Sequence, residues 1–285
     1  MSQFVCINGD ILPNTTSTID VFNRSYNFGD GVVEIMRTRG NRIIFWNEHW
    51  QRLIQNMSKL GMNNQLFPSQ AEITAAASRL IHRNKLLKAS CLKLIVYRKG
   101  ITDEDVISDE IGYTMTARPI EHGIFILPPK GVLINIYTDY PKLLGPTSSF
   151  MTTSALFNIM ALKRAKEKGL NDSILINQND HLIEATFSNL FILQEGILYT
   201  PPLSDGCVNG VIREKMIEIA NENEIPIKTT HSIGPANLYL ASEVMLTSAI
   251  TGINWVMGYR NHRYFNRTAK RLVELLNRKA GLIDS

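Results

Sequence analysis

Cysteine is scarce in this chain of 285 residues, which contains only Cys6, Cys91 and Cys207. The number is odd, the three lie far apart, and no pair has the short spacing of a metal motif. This pattern argues against a disulfide-rich secreted scaffold. It predicts a reduced, cytoplasmic protein without a bound metal.

Long apolar runs are also missing. No stretch approaches the roughly 18 residues that a membrane helix needs. The first residues, Met-Ser-Gln-Phe-Val-Cys, have neither the basic start nor the apolar core of a signal peptide. We therefore expect no membrane association. The net charge is +4, but lysine and arginine are scattered, so nothing favours nucleic-acid binding. Nucleotide-binding glycine motifs, His-Glu-x-x-His and Gly-x-Ser-x-Gly do not occur.

The composition itself is ordinary, with 44% apolar and 20% charged residues. The length suggests about two domains. Helical and β patterns are mixed along the chain, which predicts an α/β (α+β) fold. Turn residues at Arg118-Pro-Ile-Glu-His-Gly123 are typical of a linker. We predict a small N-terminal domain over residues 1–118 and a larger C-terminal domain over 119–285.

Local patterns predict individual elements. Ser69 and Glu72 form a capping box that opens a helix to about Arg83, and Asn47 can cap the helix before it. Further expectations are a loop over 23–31, a return strand over 42–46, a solvated acidic loop over 103–110, a strand near 124–127, and helices over about 211–223 and 268–279.

The stretch from Thr147 to Phe191 has the most informative pattern. In order, it contains Phe150-Met-Thr-Thr, Asn158, an Ala/Lys/Arg-rich helix ending at Gly169, the strand Ser173-Ile-Leu-Ile-Asn177 and the segment Glu184-Ala-Thr-Phe-Ser-Asn-Leu-Phe191. This order resembles the core of the class IV (fold type IV) pyridoxal-phosphate enzymes, which are the branched-chain and D-amino-acid aminotransferases and aminodeoxychorismate lyase. The resemblance runs from Gly29 to about Val256. It implies a small α/β domain, a larger C-terminal pseudo-barrel domain and a homodimer.

The resemblance also exposes a departure at Met151. In the family this position is a lysine that forms the Schiff base with the cofactor. A thioether can neither form an imine nor carry a proton at neutral pH. Lys142 lies upstream, Lys163 lies on the following helix, and Lys93 is on a strand of the other domain. None is a natural replacement, although Lys93 keeps a small chance of reaching in.

For the cofactor phosphate, the resemblance assigns three segments. Arg52 stands in His49-Trp-Gln-Arg-Leu, which matches the family motif His-x-x-Arg-Leu. The family pattern Gly-Ile-Thr-Arg appears as Gly210-Val211-Ile212-Arg213, and a further segment contains Ser248 and Ala249. Free N–H groups at a helix start suit an anion. Taken alone, Gly210 is better interpreted as a plain helix cap and Arg52 as a surface residue, whereas together with the rest of the pattern they favour phosphate binding.

For the cofactor ring and the substrate, the resemblance assigns four more residues. Glu184 matches the carboxylate that holds the ring nitrogen, and Asn189 belongs to the same loop. Arg98 follows a strand where D-amino-acid aminotransferases have an arginine for the substrate, but Lys99 is inserted before the glycine. Val33 stands where relatives have an aromatic residue lining the pocket.

Two functions remain open at this point. The first is an enzyme that transfers an amino group between a small amino acid and a 2-oxo acid, or that acts as an aminodeoxychorismate lyase, with weak or absent turnover. The second is a non-catalytic dimer, a pseudo-enzyme, that binds pyridoxal phosphate or another phosphorylated ligand without a covalent bond. One engineered change would give one departure, whereas the chain departs from the family at Met151, Ile212, Ala249 and Trp255. This clustering favours the second function.

Overall fold

The computed structural model describes residues 3–99 and 110–284. The chain divides into two compact units. Unit 1 comprises Met1–Gly123 and Met151–Ser154, and unit 2 comprises Ile124–Phe150 and Ala155–Ser285. The first break therefore lies at 123/124 instead of the predicted 118/119. Residues 151–154 lie in unit 1 because they form backbone hydrogen bonds with its sheet. The predicted acidic loop falls almost wholly outside the described residues.

Unit 1 is built on an antiparallel sheet of six strands, in the order β2-β1-β6-β5-β3-β4. Two amphipathic helices, α2 and α3, cover it with buried residues such as Leu53, Met57, Ile73 and Leu80. The elements are β1 (Phe4–Ile7), β2 (Asp10–Pro13), α1 (Arg24–Phe28), β3 (Gly31–Arg39), β4 (Arg42–Ile43), α2 (Trp46–Lys59), α3 (Gln70–Arg83), β5 (Ser90–Arg98) and β6 (Ile111–Pro119).

The capping box predicted for α3 is confirmed. The Ser69 N–H donates to Glu72 Oε2 at 2.8 Å, and the Glu72 N–H donates to Ser69 Oγ at 3.4 Å. The helix ends at Arg83, as the pattern predicts.

Three local predictions in unit 1 were wrong. The expected loop over 23–31 contains the short helix α1, because Asn23 Oδ1 accepts hydrogen bonds from the N–H groups of Ser25 and Tyr26. The expected strand over 42–46 ends at Ile43, and α2 begins at Trp46 without a capping side chain. Asn47 therefore lies inside the first turn of α2, where its Oδ1 accepts a hydrogen bond from Gln70 of α3 at 3.0 Å.

Unit 2 contains the predicted barrel. Its sheet order is β12-β11-β10-β13-β14-β7-β8-β9, and β9 also pairs with β10, which closes six strands into a ring. Ile174, Leu190 and Val256 are among the residues of its buried core. The elements are β7 (Val132–Lys142), α4 (Leu156–Glu167), β8 (Asp172–Asn177), β9 (Leu182–Ala185), β10 (Asn189–Gln194), β11 (Ile197–Tyr199), α5 (Val211–Glu222), β12 (Ile227–Lys228), α6 (Asn237–Leu240), β13 (Glu243–Ser248), β14 (Gly252–Tyr259), β15 (His262–Arg263) and α7 (Arg267–Lys279).

Residues 124–127 do not form the predicted strand. The N–H and C=O of Phe125 both bond to the side-chain amide of Asn277, each at 2.8 Å. The buried backbone of this segment is therefore satisfied by a side chain of α7 rather than by a neighbouring strand. No helix within the described ranges is long and apolar enough to cross a membrane. The described residues also contain no group of three or more His, Cys, Asp or Glu side chains that could hold a metal ion.

We expect Asn277→Ala to lower the free energy of unfolding by roughly 3 kcal/mol, because two buried backbone groups lose their partners at about 1–3 kcal/mol each. Denaturant unfolding followed by circular dichroism measures this. Asn223→Ala is the matched control, because Asn223 Nδ2 donates to Ile219 O of its own helix. Equal losses of stability in the two variants would contradict the role of Asn277 as the hydrogen-bond partner of the Phe125 backbone.

Candidate functional site

Glu184 is the centre of the site residues in unit 2. It lies on β9, is buried, and stands opposite Asn189 of β10 in the pair that closes the barrel. Its Oε2 accepts a hydrogen bond from the Val208 N–H at 2.8 Å. Its Oε1 accepts one from Lys142 Nζ at 2.6 Å. Both carboxylate oxygens are therefore already engaged within the unit.

Lys142 ends β7 and donates to two further acceptors besides Glu184. These are the carbonyl oxygens of Ser148, at 2.7 Å, and Gly206, at 3.1 Å. An ammonium group has three donors, and all three are matched here. The sequence pattern offers Lys142 only as a substitute for the missing lysine and does not reveal this ion pair.

Asn189 connects the barrel wall to the start of α5. Its Nδ2 donates to Val208 O at 2.6 Å. A Cβ atom at Gly210 would lie 2.0 Å from Asn189 Oδ1, so only glycine fits at this point of the turn. Gly210 is the N-cap of α5, and its missing side chain leaves the first turn open to an anion.

The other predicted phosphate residues of unit 2 follow this turn directly or lie at the end of β13. Val211 and Ile212 open α5, and both side chains are buried. Ile212 thus contributes apolar packing. Ser248 ends β13, and its Oγ lies 2.8 Å from Thr251 Oγ1 within a tight turn that includes Ala249.

Cys207 lies between Gly206 and Val208 and is fully buried. Burial raises the pKa of its thiol to about 11. The thiol is therefore protonated at neutral pH and is a poor nucleophile.

Arg52 in unit 1 is held by a buried carboxylate. Its Nε donates to Glu34 Oε1 at 2.8 Å, and its Nη2 donates to Glu34 Oε2 at 2.7 Å. His49 Nδ1 lies 2.8 Å from the same Oε2. Burial alone would raise the pKa of Glu34, but the charge of Arg52 and the hydrogen bonds from His49 and Arg52 outweigh it and lower that pKa. Burial lowers the pKa of His49.

Met151 is fixed in register against β3 of unit 1. Its carbonyl accepts a hydrogen bond from the Val33 N–H at 3.0 Å, and the Thr153 N–H donates to Gly31 O, also at 3.0 Å. Thr152 bridges Val32 between them. A slip that would bring another residue to the position of Met151 would break these bonds. Val33 itself is buried.

Arg98 is paired inside unit 1. Its Nη1 donates to Asp30 Oδ1 at 2.5 Å, and its Nη2 donates to the Leu60 carbonyl. Arg24 Nε donates to the other Asp30 oxygen at 3.1 Å. Two arginines thus share one carboxylate, and a role for Arg98 in binding a substrate carboxylate stays a prediction.

The structure therefore brings Glu184, Asn189, Val208 and Gly210 together in unit 2, and it places Met151 beside Val33 in unit 1. Sequence reasoning missed Glu34 and Lys142. Glu34 had a readable signal, because an acid within an otherwise buried strand needs a partner. Lys142 had none, since its contact with Glu184 joins residues 42 positions apart in the sequence.

The phosphate, the ring nitrogen and the aldehyde of pyridoxal phosphate can each be compared with these residues. The open first turn of α5 behind Gly210 fits its phosphate. Glu184 supplies a carboxylate for its ring nitrogen, but the charge of Lys142 at 2.6 Å opposes a second cation there. Met151 does not fit its aldehyde, which needs an amine. The residues of the chain thus suit the phosphate, offer the ring nitrogen a carboxylate that is already paired, and lack an amine for the aldehyde.

The Glu34 cluster makes stability depend on pH. Glu34 has a folded-state pKa below its unfolded value, so its contribution is present above the unfolded pKa and is lost as pH falls through the folded one. The pKa of His49 is also lowered, so His49 adds a further loss of stability as pH falls below the ordinary histidine pKa. We expect Glu34→Gln to destabilise the protein by about 3 kcal/mol at pH 7. The difference from the wild type should shrink as pH falls below the ordinary carboxyl pKa of 4.5.

Denaturant unfolding at pH 7, 5 and 3 measures this difference. Glu121→Gln is the control, because that side chain is 84% exposed and should change stability little at any of these pH values. A Glu34→Gln difference that stays constant from pH 5 to pH 3 would contradict the assignment.

Comparison with known proteins supports the resemblance in the sequence. Residues 31–256 match the model of the family "Amino-transferase class IV". D-alanine aminotransferase from Listeria monocytogenes serotype 1/2a (strain 10403S) is 24% identical over 274 residues, covering 89% of this chain and 88% of its own length.

Solved structures share the fold over nearly the whole chain. A branched-chain aminotransferase from Thermoproteus uzoniensis with norvaline has a TM-score of 0.89 at 22% identity, covering 100% of this chain and 97% of its own. A chain from Legionella pneumophila that bears the name 4-amino-4-deoxychorismate lyase has a TM-score of 0.83 at 22% identity, covering 93% and 96%. Enzymes of this class use pyridoxal phosphate and act on amino acids and 2-oxo acids. This chain belongs to the class IV aminotransferase family.

Proposed function

We propose that this protein is a class IV aminotransferase homologue that binds pyridoxal phosphate or a related phosphorylated ligand without a covalent bond and has at most weak turnover. The observation that carries the proposal is Met151. The bonds from the Val33 N–H to the Met151 carbonyl and from the Thr153 N–H to Gly31 O fix the register, so a thioether stands where the family has an amine. Without that amine, neither the covalent anchor nor the proton carrier of the reaction is present.

Phosphate binding rests on the turn before α5. Gly210 offers backbone without a side chain, and the helix behind it has its positive end there. The family's arginine is retained as Arg52, and Glu34 holds its guanidinium in a buried bidentate pair. Arginine in such a fixed geometry is well suited to a phosphate.

A homodimer in a reducing compartment such as the cytoplasm completes the proposal. Each unit exposes large apolar side chains: Phe22, Tyr26 and Phe28 in unit 1, and Leu143, Leu156 and Ile159 in unit 2. Exposed apolar patches of this kind are typical of protein interfaces. The three cysteines are buried and unpaired, which suits a reducing compartment.

The first test is an absorbance titration of the purified protein with pyridoxal phosphate, before and after borohydride. We expect saturable binding with the spectrum of the free aldehyde, no lysine modified in peptide mass spectrometry, and no measurable transfer from D-alanine or leucine to 2-oxoglutarate. A borohydride-stable lysine adduct together with robust transamination would overturn the proposal.

Met151→Lys is the informative partner of that titration. We expect a borohydride-stable adduct at residue 151 with activity still far below that of a working aminotransferase, because Ile212 and Ala249 lack the hydroxyls of the family. Full activity from this single change would show that the remainder of the site is intact.

Gly210→Ala tests the phosphate turn. The new Cβ would collide with Asn189 Oδ1, so the turn must open and its N–H groups must shift. We expect binding of inorganic phosphate and of pyridoxine 5′-phosphate to weaken by roughly tenfold or more, measured by calorimetry. Gly234→Ala is the control, because the nearest atom to a Cβ there is 3.8 Å away. Equal affinity of Gly210→Ala and the wild type would place phosphate elsewhere.

A further inference from the structure

The ammonium group of Lys142 is enclosed by unit 2. It donates to one carboxylate oxygen and two carbonyl oxygens, at 2.6, 2.7 and 3.1 Å. Its side chain is 17% exposed, and that of Glu184 is 5% exposed. A buried ion pair in which every N–H donor has an acceptor is held in one geometry and does not exchange among several.

The carboxylate partner has little freedom to turn away. Glu184 lies on β9, which pairs with β8 and β10 on either side and so forms part of the closed barrel wall. Its second oxygen receives the Val208 N–H. A second cation bonded to Glu184 Oε1 would therefore lie within about 6 Å of the ammonium group of Lys142, and like charges at such a distance oppose each other.

Lys142 is also poorly placed to act as the missing imine-forming amine. As an ammonium group it has no lone pair with which to attack an aldehyde, and all three of its N–H groups are donated. In pyridoxal phosphate the aldehyde is para to the ring nitrogen. An amine held against the acceptor of the ring nitrogen would therefore stand on the far side of the ring from the aldehyde.

We propose that Lys142 determines ligand specificity in unit 2. Its charge beside Glu184 weakens that carboxylate as the acceptor for a protonated ring nitrogen, so the unit selects phosphate monoesters whose body carries no basic nitrogen over pyridine ligands. Specificity of this kind comes from a repulsive element as much as from an attractive one. This inference rests on the proposed phosphate binding at Gly210.

The test is calorimetric titration with two phosphate monoesters that lack an aldehyde. Pyridoxine 5′-phosphate has a ring nitrogen, and benzyl phosphate does not. We expect the wild type to bind benzyl phosphate at least as tightly as pyridoxine 5′-phosphate. In Lys142→Met, which frees the carboxylate, pyridoxine 5′-phosphate should bind roughly tenfold more tightly, while the affinity for benzyl phosphate should change less than about twofold.

A merely structural role for Lys142 would affect both esters alike. Because Lys142→Met leaves a buried carboxylate unpaired, Lys142→Gln serves as a second variant that keeps two donors for the carbonyls of Ser148 and Gly206. Thermal unfolding identifies any variant that does not fold. Lys163→Met, an exposed lysine of α4, is the control for loss of charge and should change neither affinity.

The outcomes separate this inference from the proposed function. If the wild type binds phosphate esters and both Lys142 variants keep its preference, the specificity role is wrong and the proposed function stands. If the wild type binds neither ester but Lys142→Met or Lys142→Gln binds pyridoxine 5′-phosphate, the proposed function is wrong and the role of Lys142 stands. If no variant binds either ester, both are wrong.

Discussion

The pairing of β9 with β10 is the constraint on which the site in unit 2 depends. This pair closes the six-stranded barrel and sets Glu184 opposite Asn189. From that position Glu184 receives the Val208 N–H, and Asn189 donates to the Val208 carbonyl. Both sides of one peptide segment are thus fixed by the barrel wall. Gly210 follows two residues later, so the barrel wall also determines where α5 starts.

Ion pairing within each unit is the second general feature of the molecule. Two arginines assigned by the family resemblance, and the lysine beside Glu184, each form an ion pair with a carboxylate of their own unit. Arg52 pairs with Glu34, Arg98 with Asp30, and Lys142 with Glu184. Buried pairs of this kind contribute little net stability. They do fix the direction of each charged side chain, so a ligand meets charges that are already oriented.

Much of this architecture could be predicted from the sequence, because the family order of motifs spans most of the chain. The capping box at Ser69 depends on neighbours in sequence and was correct, as was the helix after Gly210. The errors at Asn47 and Phe125 have a common cause. In both places a side chain distant in sequence, Gln70 or Asn277, forms hydrogen bonds that local patterns cannot reveal. The ion pair of Lys142 was missed for the same reason.

The return of residues 151–154 to unit 1 has a consequence for how the chain folds. Val33 and Gly31 of β3 complete their hydrogen bonds with partners that lie beyond residues 124–150 of the other unit. During synthesis, unit 1 therefore cannot finish its sheet when residue 123 emerges from the ribosome. It must wait, with one strand edge unpaired, until part of the barrel sequence has followed. Contacts of such long sequence separation slow folding, and an unpaired edge is open to wrong partners. Met151 is thus also among the last parts of unit 1 to be secured.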